Sequence, residues 1–268
     1  GFARYKEQPQ YMKNSSYNDV SNYLPTRQKK ENKNKYRYNN TNYATIGAAL
    51  EKITNQKYRE VVKSYFSDTL HYNEFRFIDE AETDHMQVKN YVKRGKRRYQ
   101  YDPIKSGLWE PSALGSTSSR VFARFLREQM NPEFLRLIAS HKSLVKERDL
   151  KDGSHFVEYY GLGYRLGYVD NQLQYVYHHG FIYGALTTFC YFPKYDLGYV
   201  ALSNSSYFPR RTYSFASAVK GIVEKSLAYK QEDIFKEDSA STNIIPFGEQ
   251  TETISNEYRG SFGQLKDN

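Results

Sequence analysis

The apolar positions of this chain change period along its length. Tyr43, Ile46, Leu50 and Ile53 recur at helical spacing, which predicts a helix with that face buried. Asn40 and Thr41 stand just ahead of it, with side chains suited to cap the free N–H groups of a first turn. Tyr58, Val61, Val62, Tyr65 and Phe66 fall at i, i+3, i+4, i+7 and i+8, a second amphipathic helix, and Asn55 marks the bend between the two. Val121, Phe122, Phe125 and Leu126 predict a third helix, entered through Gly115-Ser116-Thr117-Ser118-Ser119. Asn131-Pro132 supplies a cap and a first helical position for a further one. Residues 71–106 are polar, charged and aperiodic, and read as loop.

From Tyr159 the period becomes that of strands. Gly161 to Tyr168 and Leu173 to Tyr177 flank Asp170-Asn171, a hairpin signal. Leu186 to Phe192 and Leu197 to Ser203 form the next pair, joined at Pro193-Lys194-Tyr195-Asp196. The result is an antiparallel meander, with Tyr213, Ala216, Val219, Val223 and Leu227 predicting a helix that covers one face of the sheet. Helices first and an antiparallel sheet afterwards give a layered α/β fold. The expected organisation is an extended approach segment over 1–35, a mainly helical part over 36–158, a sheet with its terminal helix over 159–228, and a polar tail or linker over 229–268.

Composition narrows this picture. A chain of 268 residues is long enough for one large or two small domains with a core that needs no staples. Apolar residues make up only 39%, but 27 Tyr and 16 Phe bring bulky amphipathic burial. The single cysteine, Cys190 in Phe189-Cys190-Tyr191-Phe192, excludes an internal disulfide and reads as a buried, inert thiol. No apolar run approaches the roughly 18 residues of a spanning helix, and the first residues lack the basic-then-apolar order of a signal peptide.

The formal charge of +9 raises the question of an anionic partner. Lys93-Arg94-Gly95-Lys96-Arg97-Arg98 lies between Tyr91 and Tyr99, and basic and aromatic residues together can grip a nucleic-acid strand. The same run also fits a solvated loop. No nucleic-acid-binding signature accompanies it, so no nucleic-acid partner is expected. His71 and His85 share no metal-ligand spacing, and neither a metal nor a cofactor is expected.

Candidate chemistry begins at Tyr36-Arg37-Tyr38-Asn39-Asn40, an Asn-rich loop running straight into the first helix. Tyr38 and Asn40 are held two positions apart at a helix start, and a phenol beside an amide suits acid/base and positioning work. A plain capped helix with a tyrosine packed behind it accounts for the same residues. A second stretch bears on the choice: Tyr177-His178-His179-Gly180-Phe181, then Gly184, Thr187-Thr188 and, after a strand, Asn204.

Together the two stretches resemble the serine hydrolases related to class C β-lactamases, low-molecular-weight penicillin-binding proteins and their esterase-like members. Tyr38-Asn39-Asn40 with Asn42, Tyr43, Gly47 and Glu51 matches that family's Tyr-x-Asn loop and following helix, and His178-His179-Gly180 matches its (Lys or His)-x-Gly strand. The resemblance covers about residues 36–228, weakly in the middle, and implies a β-lactamase/transpeptidase-like α/β fold with the cleft between helical part and sheet. It implies acyl transfer from an amide, ester or β-lactam, with a small-molecule or peptide substrate, in the periplasm or outside the cell. Tyr38 would relay a proton and Asn40 would hold a lysine and the substrate amide. His178 would take the place of the more familiar lysine, charged only near or below about pH 6.5. His179, Gly180 and Phe181 would contact substrate, the Phe181 N–H as an oxyanion donor and Gly180 by opening the strand to close approach.

That family's nucleophile is the serine of a Ser-x-x-Lys motif upstream of Tyr-x-Asn. No such spacing occurs in residues 1–37, although Gly1-Phe2 is similar to the residues that follow a His-(Ser/Thr)-Ser-Gly segment in the family. Ser143-Leu144-Val145-Lys146 has the spacing but lies downstream, in a stretch read as helical. The sequence thus leaves two expectations open. Either the catalytic Ser and Lys precede Gly1, the sheet lacks its first strands and an edge is unpaired, or the chain is a non-catalytic relative that binds peptidoglycan or a partner.

Overall fold

A computed structural model describes residues 36, 38–77, 88–94, 96–100, 110–113, 115–182, 184–208 and 218–226. The expected approach segment 1–35, the tail 229–268, His85, and Tyr213 and Ala216 of the closing helix lie outside them. The chain divides into two compact units, 1–220 and 221–268, and the features below belong to the first. Residues 218–226 are helical.

Helix α1 (Thr41–Thr54) forms where the pattern places it, but it buries a different face. Ile46 and Ile53 are 54% and 80% exposed, while Ala44 is 1% exposed and Gly47 is buried. The buried positions are thus two small residues one turn apart, and not the large apolar ones. Nor does Asn40 cap the helix: it sits at the N-cap in helical conformation without a side-chain cap hydrogen bond. Asn55 ends α1 with φ 53, the left-handed geometry asparagine tolerates, and α2 (Tyr58–Ser64) follows. It runs into a π-helical turn over Tyr65–Thr69, from which Phe66 stacks on Phe75 with centroids 4.4 Å apart.

The segment read as loop carries short strands. β1 (Arg76–Phe77) pairs with β4 (Gly115–Ser116). β2 (Tyr91–Arg94) and β3 (Arg97–Gln100) form an antiparallel hairpin whose β2 edge pairs in parallel with β11 (Ser205–Phe208). The basic run is therefore the tip of a hairpin. It lacks alternation because β3 is exposed along its whole length, so no buried face imprints a period of two.

Helices α3 (Ser119–Gln129) and α4 (Pro132–Ser140) start at the expected caps. Ser118 Oγ accepts from Val121 N at 3.3 Å and Asn131 Oδ1 from Phe134 N at 2.9 Å. The main sheet is a six-stranded antiparallel meander: β5 (Lys142–Asp149), β6 (His155–Gly161), β7 (Tyr164–Val169), β8 (Gln172–Ile182), β9 (Ala185–Phe192) and β10 (Leu197–Ser203). Asp170 and Asn171 both take positive φ, 47 and 65, as a two-residue hairpin loop that matches strand twist requires. The sheet begins earlier than the apolar alternation suggests, since β5 is strand and not helix. It is an edge strand with almost every residue exposed, so it needs no apolar face. Ser143 is on it, and Lys146 Nζ pairs with Glu158 Oε2 at 3.2 Å.

The core lies between this sheet and α3 and α4. Leu126, Met130 and Ile138 from the helices meet Leu166, Val176 and Phe189 from β7, β8 and β9. Gly161 permits the contact, because a Cβ there would lie 2.2 Å from the Ile138 carbonyl oxygen.

Candidate active site

Strand β8 is the element that positions the site. Its register with β7 stops at Arg165↔Tyr177, while its register with β9 runs on to Ile182↔Ala185. His178 to Ile182 therefore lie at a step in the sheet where β7 has ended. The loop before α1 comes to this step: the Tyr38 ring lies 6.0 Å from the His178 ring, at 34°. Two residues 140 positions apart in sequence are thus neighbours. Asn40, at the start of α1, has a buried side-chain oxygen that meets no hydrogen-bond donor among the described residues.

Tyrosines fill the rest of this corner. The Tyr160 ring, from β6, lies 5.2 Å from Tyr36 and 5.9 Å, edge-on, from Tyr38. Its hydroxyl stands 3.3 Å from His178 Nε2 and 3.2 Å from the Tyr43 hydroxyl of α1. Burial pushes the Tyr36 phenol up to about 12 and raises those of Tyr43 and Tyr160. These phenols stay protonated at neutral pH.

A charged cluster adjoins them. Glu158, 1% exposed, accepts from the Tyr177 hydroxyl and from Arg165 Nη1 at 3.1 Å and pairs with Lys146. Burial alone would raise this carboxyl, yet the Tyr177 hydrogen bond and the Arg165 and Lys146 charges hold it below its ordinary value. The Arg165 guanidinium also lies over the Tyr160 ring, 5.9 Å from its centroid.

Burial, the Arg165 charge and the neighbouring His179 push His178 down to about 4, against a backbone hydrogen bond to His179 that favours the protonated ring. Burial and Arg165 likewise push His179 down to about 4. This corrects the expectation from sequence, which gave His178 an ordinary titration near pH 6.5. A ring in low dielectric beside a fixed guanidinium is neutral throughout the physiological range, so it offers hydrogen bonds and no charge. His179 Nδ1 is 3.0 Å from Thr188 Oγ1, and its ring lies 5.0 Å from that of Tyr177.

Gly180 faces Thr187 across β8 and β9, and a Cβ on it would meet Thr187 Oγ1 at 2.2 Å. Its own cross-strand neighbour thus requires a glycine, whatever approaches from outside. Phe181 is opposite Leu186. Gly184, with φ 89, packs so that a Cβ would lie 2.6 Å from the Asn90 Cβ, and its N–H donates to Ser206 Oγ at 2.9 Å. Asn204 Nδ2 donates to the Lys89 carbonyl at 2.9 Å. Tyr38, Asn40 and the His178 to Phe181 segment are the residues singled out from sequence. Tyr160 and Arg165 were not, as nothing short-range marks a tyrosine or arginine within alternating strands, and Tyr43 was read only as part of the helix after the Tyr-x-Asn loop. Ser217-Ala218-Val219-Lys220 was also not anticipated and repeats the Ser-x-x-Lys spacing. Ser217 lies outside the described residues, and Lys220 Nζ sits 4.1 Å from the centroid of the Tyr175 ring.

The α/β fold has counterparts among known proteins. The model of the beta-lactamase family matches residues 4–219, and the chain belongs to that family. Among solved structures it is similar to a penicillin-binding protein from Bacillus halodurans, with TM-score 0.61 and 13% identity over 83% of this chain and 69% of that one. It is also similar to a class C beta-lactamase (TM-score 0.58, 14% identity, 78% of this chain and 64% of that one). A third is the D-amino acid amidase from Ochrobactrum anthropi (TM-score 0.58, 14% identity, 81% of this chain and 65% of that one). At such identities the likeness is one of fold, and the chain spans about two thirds of the length of each. A search of the curated proteins finds no significant match. Among the described residues, no helix is long and apolar enough to cross a membrane.

Proposed function

We propose that this chain forms two walls of an acyl-transfer site in a β-lactamase-related serine hydrolase acting on an amide, ester or β-lactam. In this reading an activated serine attacks the carbonyl and water later releases the acyl group, with Ser and Lys coming from a Ser-x-x-Lys segment outside these 268 residues. Tyr38 relays the proton between nucleophile and leaving group. Asn40 presents its buried carbonyl oxygen to the lysine, since a buried acceptor is costly unless a donor meets it. The Phe181 N–H is one oxyanion donor, a role worth about 3 kcal/mol in comparable sites. His178 acts as a neutral hydrogen-bonding group towards substrate. The observation that carries this reading is the 6.0 Å approach of the Tyr38 and His178 rings from two distant motifs.

The test uses the 268-residue chain with a chromogenic β-lactam and a p-nitrophenyl ester. No turnover is expected. Turnover that survives purification and is abolished by Ser143→Ala or Ser217→Ala would place the nucleophile inside the chain and overturn this assignment.

A further inference from the structure

Tyr160 is the common neighbour of Tyr36, Tyr38, Tyr43 and His178. Its ring meets Tyr36, Tyr38 and His178 with centroids 5.2, 5.9 and 5.8 Å away. Its hydroxyl stands between two polar atoms, the Tyr43 hydroxyl at 3.2 Å and His178 Nε2 at 3.3 Å. None of the chemistry above uses it.

We propose that Tyr160 is a positioning residue: its hydroxyl, backed by that of Tyr43, donates to His178 Nε2 and holds the neutral imidazole as its Nδ1–H tautomer, while its ring sets how Tyr38 and His178 face each other. Of the two groups the phenol is the better donor and the imidazole nitrogen the better acceptor. The chain therefore runs from the Tyr43 O–H to the Tyr160 oxygen, and from the Tyr160 O–H to Nε2. Burial keeps both phenols protonated and able to donate. Burial, Arg165, which lies over the Tyr160 ring, and neighbouring His179 oppose charge on His178, so at neutral pH one ring nitrogen is able to accept. With Nε2 engaged, Nδ1–H is the group left for the ring's backbone hydrogen bond to His179. The bearing on catalysis rests on the site reading of His178, but the hydrogen-bond order is a property of the resting protein.

The experiment is ¹⁵N NMR of the histidine-labelled chain at neutral pH, with His178→Gln identifying the resonances. In the unsubstituted chain Nε2 is expected to resonate as a bare nitrogen and Nδ1 as a protonated one. Tyr160→Phe, which removes only the hydroxyl, should shift the ring to the Nε2–H form or to a fast average, and Tyr43→Phe should move it less in the same direction. A ring protonated on Nε2 in the unsubstituted chain overturns the proposal without any variant, so poor folding of Tyr160→Phe leaves the test standing. A ring unchanged by Tyr160→Phe in a folded variant overturns it as well. Neither result touches the hydrolase reading, which is decided by turnover.

Discussion

His178 and His179 differ from surface histidines by what surrounds them, and that difference has a sign. Both rings have their folded-state value pushed down to about 4, while an unfolded chain titrates near about 6.5. Between those values the unfolded chain binds more protons, so stability falls as pH drops from about 6.5 towards 4. The expected loss is on the order of 1–3 kcal/mol per ring, read as a falling urea midpoint, and His178→Gln should flatten the slope. A midpoint level across that window would show that the rings are not buried as described. His155, the exposed first residue of β6, behaves in the opposite sense. Its hydrogen bond to Asp149 and nearby Glu147 outweigh partial burial and raise its value, so its stabilising contribution is complete below about pH 6.5 and fades as pH rises through the raised value. His155→Asn should remove that alkaline-side component and leave the acid-side slope unchanged.

Between elements, the fit depends on glycines set against close neighbours, Gly161 against the Ile138 carbonyl and Gly180 against Thr187. Gly180→Ala forces a methyl against Thr187 Oγ1, and overpacking of this kind costs about 1–3 kcal/mol. Thr187→Ala in the same chain should recover most of it, measurable as a coupling energy in a double-mutant cycle. Additive losses would mean that the clash is not the cause. Leu166→Ala, in the fully buried centre of β7, should cost about 2–5 kcal/mol, measured as lost unfolding free energy in urea.

These same elements show what the sequence could and could not carry. The meander from Tyr159 and the capped starts at Ser118 and Asn131 are written in local patterns, and so are Tyr38 and His178, which sit in motifs of fixed spacing. Strands β3 and β5 left no trace because exposed strands bury no alternating face, and β2 is only four residues long, with Val92 buried. Helix α1 was legible as a helix, but its buried side was not, because the buried Ala44 and Gly47 are small and carry little apolar signal, while the exposed Ile46 and Ile53 mislead a count of apolar residues. Tyr160 and Arg165 matter only through partners on other elements, so no linear spacing reveals them. The fall in the His178 value likewise comes from tertiary neighbours.

At the scale of the whole molecule, residues 4–219 match the family and the six strands run as one meander against α3 and α4. The proposed site lies where the loop before α1 meets the step in the sheet beyond β7. Its two motifs come from opposite ends of the matched region, so the account stands or falls on whether they work as one site. The most direct measurement is made on a protein that includes the proposed Ser-x-x-Lys segment, comparing acylation by a β-lactam or ester substrate with and without Tyr38→Phe. The ring, and with it the packing against Tyr160 and His178, is kept while the hydroxyl is lost. The account predicts an acylation rate lower by about 10²- to 10⁴-fold with substrate binding nearly unchanged, and undiminished turnover by a folded Tyr38→Phe enzyme would contradict it.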